Sequence, residues 1–318
     1  MGVPTGRALA WLLAVVAAVV TGLRWVDVAA SPVVLVQSLN PLAAVLALVA
    51  LCGALLPGHR RGRVGLVGLS VLVLGVHAAI WAPWLTAEQP RPGRAVTVMT
   101  VNLYVGRADA AAVGRIVRAH SVDVLVLSEV RRDARDDLSG ALARLPHAVP
   151  TRPTGGSTVI RSRLPVTPVP DPPEQFSATD SRRNPAGRLR VGGTEITLRA
   201  VHPSPPTGAR IDRWRVTLDA LSGWAGQVRG PLVVAGDFNS SVDHPAMRAL
   251  LAAGLRDAHE VAGAGRPPTW PRGRSVPPFV HIDHVLVRGL DVGSAQEVRI
   301  PRSDHDAVLV DLVVPAGR

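Results

Sequence analysis

The 318-residue chain contains no lysine, so each of its 35 basic residues is an arginine, a choice that says little about chemistry by itself. A single cysteine, Cys52, lies inside an apolar run. It excludes an intrachain disulfide and leaves the redox compartment unreadable, so any globular part must be stable on its core alone. Aromatic residues make up only 3% of the chain, which leaves few stacking platforms for single-stranded nucleic acid. No cysteine cluster and no His-x-x-x-His pair is present to suggest zinc. No internal repeat is visible.

Hydrophobic residues are abundant, at 47%, and unevenly spread. Residues 1–85 hold five arginines (Arg7, Arg24, Arg60, Arg61, Arg63) and one acid, Asp27; the other 30 arginines and 23 acids follow, a net charge of +7. The chain therefore divides into an apolar head and a charged, globular tail. A basic surface raises the local concentration of anions such as phosphates or acidic lipids.

The head carries three apolar stretches, and a spanning helix needs roughly 20 such residues. The predicted spans cover about 8–28, 33–56 and 64–85. Arg24 can snorkel and Trp25 suits an interface. Placing Arg7 and the His59-Arg60-Arg61-Gly62-Arg63 cluster on the cytoplasmic side obeys the positive-inside rule and puts the tail outside. The first stretch also fits a signal peptide with small residues at Ala29-Ala30-Ser31; losing it would keep the tail outside. His77, within the third span, is expected to be a helix-packing polar group. Residues 86–94 carry the Pro and Gly punctuation of a short linker, which keeps the domain predicted over 95–318 close to the bilayer.

In the tail, Ala95–Val101 and Val122–Leu127 read as strands, with Asp109 capping a helix through His120. Further strands are predicted at 158–160, 195–201, 232–235, 281–287 and 307–313, and helices at 209–228 and from Pro245 to Ala253. Residues 167–187 lack periodicity and read as a loop. Many short strands with a few helices over about 220 residues indicate an α+β sandwich rather than a Rossmann unit.

Polar residues recur at the strand ends: Asn102, Glu129, His202, Asp237 with Asn239, Asp283, and Asp304 with His305. Singly, each has a structural explanation, since Asn and Asp are routine at turns. As a set, hard oxygen donors such as Glu129, Asp304 and the Asn102 amide suit Mg²⁺ or Mn²⁺. His305 beside Asp304, with Asp283 available to orient it, follows the logic of an imidazole whose tautomer a carboxylate fixes.

Seven segments carry a resemblance: Val101-Asn102, Leu127-Ser128-Glu129-Val130, Ser162-Arg163-Leu164-Pro165, Ala200-Val201-His202, Gly236-Asp237-Phe238-Asn239, Ile282-Asp283-His284-Val285 and Ser303-Asp304-His305. In this order the tail resembles the endonuclease/exonuclease/phosphatase superfamily with the deoxyribonuclease-I-like fold. The resemblance implies a four-layer α/β/β/α sandwich and metal-dependent phosphoester hydrolysis. It implies Glu129 as principal metal ligand, with Asn102 and Asp304 in the same role. By the same carry-over Asp237 positions or deprotonates the attacking water, and Asn239 contacts phosphate oxygens. His305, oriented by Asp283, polarises the phosphate, and His202 donates to the phosphate or the leaving group. Two departures stand out. Ser128 replaces the glutamine of many relatives, and Tyr104, the tail's only tyrosine, leaves the phenolic donor of abasic-site endonucleases without a counterpart.

Three functions follow as expectations. One is an extracytoplasmic nuclease or phosphodiesterase, with Arg131, Arg132, Arg182, Arg183 and Arg210 tracking a phosphate backbone. Another keeps the chemistry and changes the substrate to a lipid or inositol phosphate head group. The third is a catalytically silent binding module on a membrane anchor. The first two need a phosphate-ester substrate and the bilayer, and no obligate protein partner is evident.

Overall fold

The computed structural model describes residues 3–55, 60–131, 138, 140, 142–149, 157–171 and 184–316. The chain divides into two units: Met1–Pro83 with Val242–Pro245, and Trp84–Ser241 with Ala246–Arg318.

The first unit holds α1 (Val3–Leu23), α2 (Ser31–Ser38), α3 (Asn40–Gly53) and α4 (Arg60–Trp81). Small side chains make its interior. Ala10, Ala14 and Ala17 of α1 meet Ala43, Ala47 and Ala50 of α3, with Leu66 and Val73 of α4 beside them. Small residues let helix backbones approach closely, and a Cβ on Gly53 would stand 2.6 Å from that of Ala10. The larger apolar side chains, including Leu9, Leu12, Val19, Leu48 and Leu72, face outward. Several polar groups inside find partners. Thr21 Oγ1 lies 3.0 Å from Nε2 of His77, placing His77 in helix packing. Gln37 Nε2 donates to the carbonyls of Leu23 and Val26, both at 2.8 Å, answering acceptors freed at the end of α1. Arg24 pairs with Asp243 at 2.7 Å.

Among the described residues two helices are long and apolar enough to cross a membrane, Gly6–Leu23 and Gly62–Leu85, or three if a bent pair counts as one span. The expected second span is that pair: α2 and α3 meet at Leu39 with a bend of 60°. Pro41, in the first turn of α3, cannot donate to the preceding turn, so the helical ladder breaks there. The first helix stops at Leu23, short of the Val28 expected from hydropathy.

The second unit holds twelve strands among the described residues, in two six-stranded sheets. Sheet A runs β11 (Asp291–Arg299), β12 (Asp306–Pro315), β1 (Gly93–Asn102), β2 (Val124–Val130), β4 (Ser157–Ser162), β3 (His147–Val149). Sheet B runs β5 (Val166–Val169), β6 (Ala186–Val191), β7 (Thr194–Val201), β8 (Leu232–Asp237), β10 (Asp283–Arg288), β9 (Arg256–Asp257). Both sheets are mixed: β1 pairs parallel with β2, and β7 with β8, while the other pairings are antiparallel.

Alternation along the strands builds the layers. Val96 and Val98 of β1, with Val124 and Val126 of β2, join Leu198, Ala200, Val233, Ala235 and Val285 of sheet B in one core between the sheets. Met99, Val101, Leu125 and Leu127 point the other way, against Val113 and Val117 of helix α5 (Ala110–Ala119). Asp109 caps α5, accepting from the Ala112 amide at 2.9 Å. Helix α6 (Ile211–Gln227) covers the outer face of sheet B with Trp214, Leu218, Leu221 and Trp224. The buried Arg199 guanidinium of β7 lies over the Trp224 ring, 4.0 Å from its centroid, and pairs with Asp171. The result is the α/β/β/α sandwich that the resemblance implied, in the α+β class.

Two expectations need correction. The 167–187 stretch is not one loop: β5 enters it and β6 leaves it, while residues 172–183 lie outside the described set. The Pro- and Gly-punctuated segment 86–94 is tied to the second unit. Glu88 donates its amide to the Val261 carbonyl at 2.9 Å and pairs with Arg256 at 2.7 Å, and Arg91 pairs with Asp291 at 2.7 Å.

Candidate active site

Four strand ends make one rim. Asn102 closes β1 and pairs with Ser128 of β2, so the next residue, Glu129, emerges at the same edge. The β2–β4 register slips between Leu127 and Val130, and Glu129 takes φ 58°. That bulge re-aims the carboxylate out of the ladder. Its Oε2 accepts the Val105 amide at 2.7 Å, and Val105 itself sits at φ 53°, unusual for a β-branched residue. In sheet B, Asp237 ends β8 directly opposite Asp283, which begins β10.

The Asn102 side chain bridges the two sheets. Its Nδ2 donates to Asp237 Oδ2 at 2.9 Å and lies 3.3 Å from Glu129 Oε1. Its Oδ1 accepts the Tyr104 amide at 2.9 Å. In this arrangement the amide presents its NH₂ rather than its oxygen to the carboxylates. His202 Nε2 stands 3.6 Å from Glu129 and 3.7 Å from Asp237. His305 Nε2 stands 3.9 Å from both Asp237 and Asp304, while its Nδ1 lies 2.8 Å from Asp283. Asp304 reaches the group through His305, and its other oxygen pairs with Arg274 at 2.8 Å.

Asn239 is tied into the turn that follows β8. Its amide N–H donates to Asp237 Oδ1 at 2.8 Å, and its side-chain Nδ2 donates to the Pro203 carbonyl at 3.1 Å. Trp214 Nε1 in turn donates to the Asn239 carbonyl at 3.1 Å. Asn239 therefore shapes the Asp237 turn at φ 48°. Gly236 just before it lets the strands approach closely, since an added Cβ would lie 2.0 Å from the Val201 carbonyl oxygen and force it to shift.

Asp237, Asp283 and His305 are nearly inaccessible to solvent. Burial disfavours charge on His305, yet Asp283 and Asp237 outweigh it and raise its pKa to about 10. Burial pushes the Asp283 carboxyl up, opposed by the His305 cation. Asp283 Oδ1 and His202 Nδ1 are buried without a hydrogen-bond partner. Asp237, Asp283 and His305 offer donor atoms all within 4.8 Å of one another. Hard carboxylate oxygens converging at a rim with unsatisfied lone pairs fit a divalent cation.

Several contributors were not among the predicted site residues. Asn184 Oδ1 accepts the His202 amide at 2.9 Å, and Thr269 Oγ1 accepts that of Asp283 at 3.3 Å. Ser303 Oγ donates to the Asn102 carbonyl at 2.7 Å and accepts the His305 amide at 3.0 Å. Ser303 is adjacent to Asp304 in sequence and could have been found there; Asn184 and Thr269 carry no local signal. Of the arginines expected to track phosphates, Arg131 and Arg210 are exposed, and Arg132, Arg182 and Arg183 lie outside the described residues. A cleft of about 640 Å³ next to Leu103 is lined instead by Arg107, Arg115, Arg118 and Arg302, and includes no acid or histidine of the rim.

A four-layer sandwich with this acid–histidine rim defines the class of deoxyribonuclease-I-like phosphoester hydrolases. Residues 99–305 match the model of the endonuclease/exonuclease/phosphatase family, and the chain belongs to that family. Its members are phosphoric ester hydrolases, and metal dependence is typical of the family. Among solved structures, the chain is similar to an endonuclease/exonuclease/phosphatase from Beutenbergia cavernae, with 23% identity, 70% of this chain and 72% of that chain covered, and a TM-score of 0.52. It is also similar to D. rerio TDP2 complexed with a single-strand DNA product (15% identity, 69% and 98% covered, TM-score 0.57). A third is the Bacteroides thetaiotaomicron mannosyl-6-phosphatase (17% identity, 69% and 99% covered, TM-score 0.51). No curated protein matches the sequence.

Proposed function

We propose that the protein is a membrane-anchored phosphoesterase that hydrolyses phosphodiester bonds outside the cytoplasm with Mg²⁺ or Mn²⁺. The observation that carries this reading is the convergence of Glu129, Asp237, His202 and His305 on one rim, each within 4 Å of another.

Glu129 and Asp304 would hold the cation, with Asn102 contributing once its amide turns over. The bound cation supplies positive charge against the phosphate oxygens. Asp237, fixed by Asn102 and the Asn239 amide, takes the proton of the attacking water. His305, kept protonated by Asp283 and Asp237, donates to a non-bridging phosphate oxygen as negative charge builds there. His202, anchored through its backbone by Asn184, donates to the leaving oxygen. The arginines of the adjacent cleft favour an anionic substrate.

The arginine pattern favours the outer face. If α2 and α3 form one bent span, Arg7 and Arg60–Arg63 share the cytoplasmic side and the second unit follows α4 outward. A re-entrant α2–α3 would put the arginine loop outside, against the positive-inside rule.

A lipid head-group phosphate is the second reading. It is favoured by the few residues between the end of α4 at Trp81 and the start of β1 at Gly93.

The full chain in detergent, assayed on plasmid DNA, a chromogenic phosphodiester, inositol phosphates and lipid phosphates, tests both readings. Turnover should require a divalent cation, vanish with chelator and return with Mg²⁺ or Mn²⁺. Asp237→Ala and His305→Ala should each lower kcat on the order of 10²–10⁴-fold. Turnover that survives both substitutions, or none on any substrate, would overturn the proposal.

A further inference from the structure

A second cluster lies away from the catalytic rim and has no part in the chemistry above. Asp257 ends β9 and caps the short helix α7 (Ala258–Val261), whose first turn carries His259. His281 immediately precedes the Ile282–Asp283 step into β10, and Glu297 reaches over from β11 of the other sheet. Asp257 and His259 are fully buried and His281 is 6% exposed. Asp257, His259 and His281 each offer a donor atom, and these lie within 4.8 Å of one another.

The hydrogen bonding leaves this group unfinished. Nε2 of His259 stands 2.8 Å from Glu297 Oε1, yet both atoms, and Nδ1 of His259, lack a hydrogen-bond partner of acceptable geometry. His281 Nδ1 donates to the Pro267 carbonyl at 2.5 Å, so its Nε2 carries a bare lone pair, also buried and unpartnered. Buried polar atoms left unmet destabilise a fold, and here several lie in one cluster.

The surrounding groups already orient the donors. His284 lies with Nδ1 2.6 Å from Oδ2 of Asp257 and Nε2 2.9 Å from the Ser240 carbonyl. The Pro267 carbonyl fixes the tautomer of His281. An imidazole tied to a backbone carbonyl, and a carboxylate tied to a second histidine, are the supports that metal ligands ordinarily have. Two imidazole nitrogens with two carboxylate oxygens form a set suited to four-coordinate Zn²⁺.

We infer that Asp257, His259, His281 and Glu297 form a structural zinc site that staples the edge of sheet A to the end of sheet B. The donors come from three separated stretches, 257–259, 281 and 297, so the site has no spacing signature. It is independent of the catalytic cation, being built from other residues with a softer donor set.

Metal content of the full chain in detergent, measured after incubation with Zn²⁺ and desalting, tests the inference without recourse to activity. The wild type and Asp237→Asn should each retain about one zinc per chain. The double variant His259→Gln/His281→Gln should retain none. Cobalt substituted into the wild type should show the intense visible absorption of a four-coordinate ion, a measurement that stands even if the double variant fails to fold. A wild type without retained zinc and without that absorption would overturn the site, leaving a proton-bridged network in its place. Zinc equally retained by a folded double variant would overturn it as well.

Discussion

Asp237 shows how much a single side chain depends on the backbone around it. Its two oxygens are committed to the Asn239 amide and the Asn102 side chain, at 2.8 and 2.9 Å. That geometry exists because Gly236 lets β8 run close beside β7. A methyl at Gly236 would meet the Val201 carbonyl at 2.0 Å, and the φ of +150° is open to few other residues. Gly236→Ala should therefore unfold several degrees below wild type, because strain and displacement of the β7–β8 pair cost on the order of 1–3 kcal/mol. Thermal unfolding checks the stability. An unchanged Tm would show that the close approach relaxes freely. Glu129 makes the same point at the other sheet, since its carboxylate reaches the rim through a positive φ.

At the scale of elements, helix α6 does more than cover sheet B. Trp214 is buried against the sheet while its Nε1 donates to the Asn239 carbonyl, tying the helix to the turn that holds Asp237. Trp214→Phe keeps much of the apolar contact and removes that donor. It should cost roughly 1–3 kcal/mol of stability and lower kcat more than it raises KM, because substrate contacts are untouched. Denaturant unfolding and steady-state kinetics measure the two effects; a change in KM alone would place Trp214 in substrate binding instead. Strand legibility follows burial. Of the strands paired on both sides, β1, β2, β4, β7, β8, β10 and β12 carry apolar runs and were predicted, whereas β6, with Arg188 and Arg190 exposed along it, was not. Strand β11 was not, because its sequence DVGSAQEVR mixes polar and small residues at a sheet edge with a bulge at Gly293. Strand β9, two residues long, is held by its partner β10 and has no pattern of its own.

For the whole molecule, the proposed topology turns on the helical bend at Leu39. One bent span gives three crossings and an outer catalytic unit; a re-entrant pair gives two crossings and an inner one. Periplasm-active and cytoplasm-active reporters fused after Arg318 should report only the outer location, matching the arginines at 7 and 60–63. Activity of the cytoplasmic reporter alone would reverse the proposed topology and with it the choice of accessible substrates.

The amino-acid sequence by itself determined the apolar head, the sandwich class and the strand-end residues of the rim. Those features are local: hydropathy over about 20 residues, alternation along central strands, and motifs such as GDFN that keep ligand and turn together. Tertiary structure alone decided the rest. It turned the Asn102 amide so that its NH₂ faces the carboxylates and set Asn239 to support Asp237. It also brought Asp257, His259, His281 and Glu297 together although neither a cysteine nor a His-x-x-x-His pair announced a metal. The physical reason is common to all three. Side-chain contacts between separated segments follow from how two sheets pack and where their backbones bulge or bend, and no spacing along the chain encodes that packing.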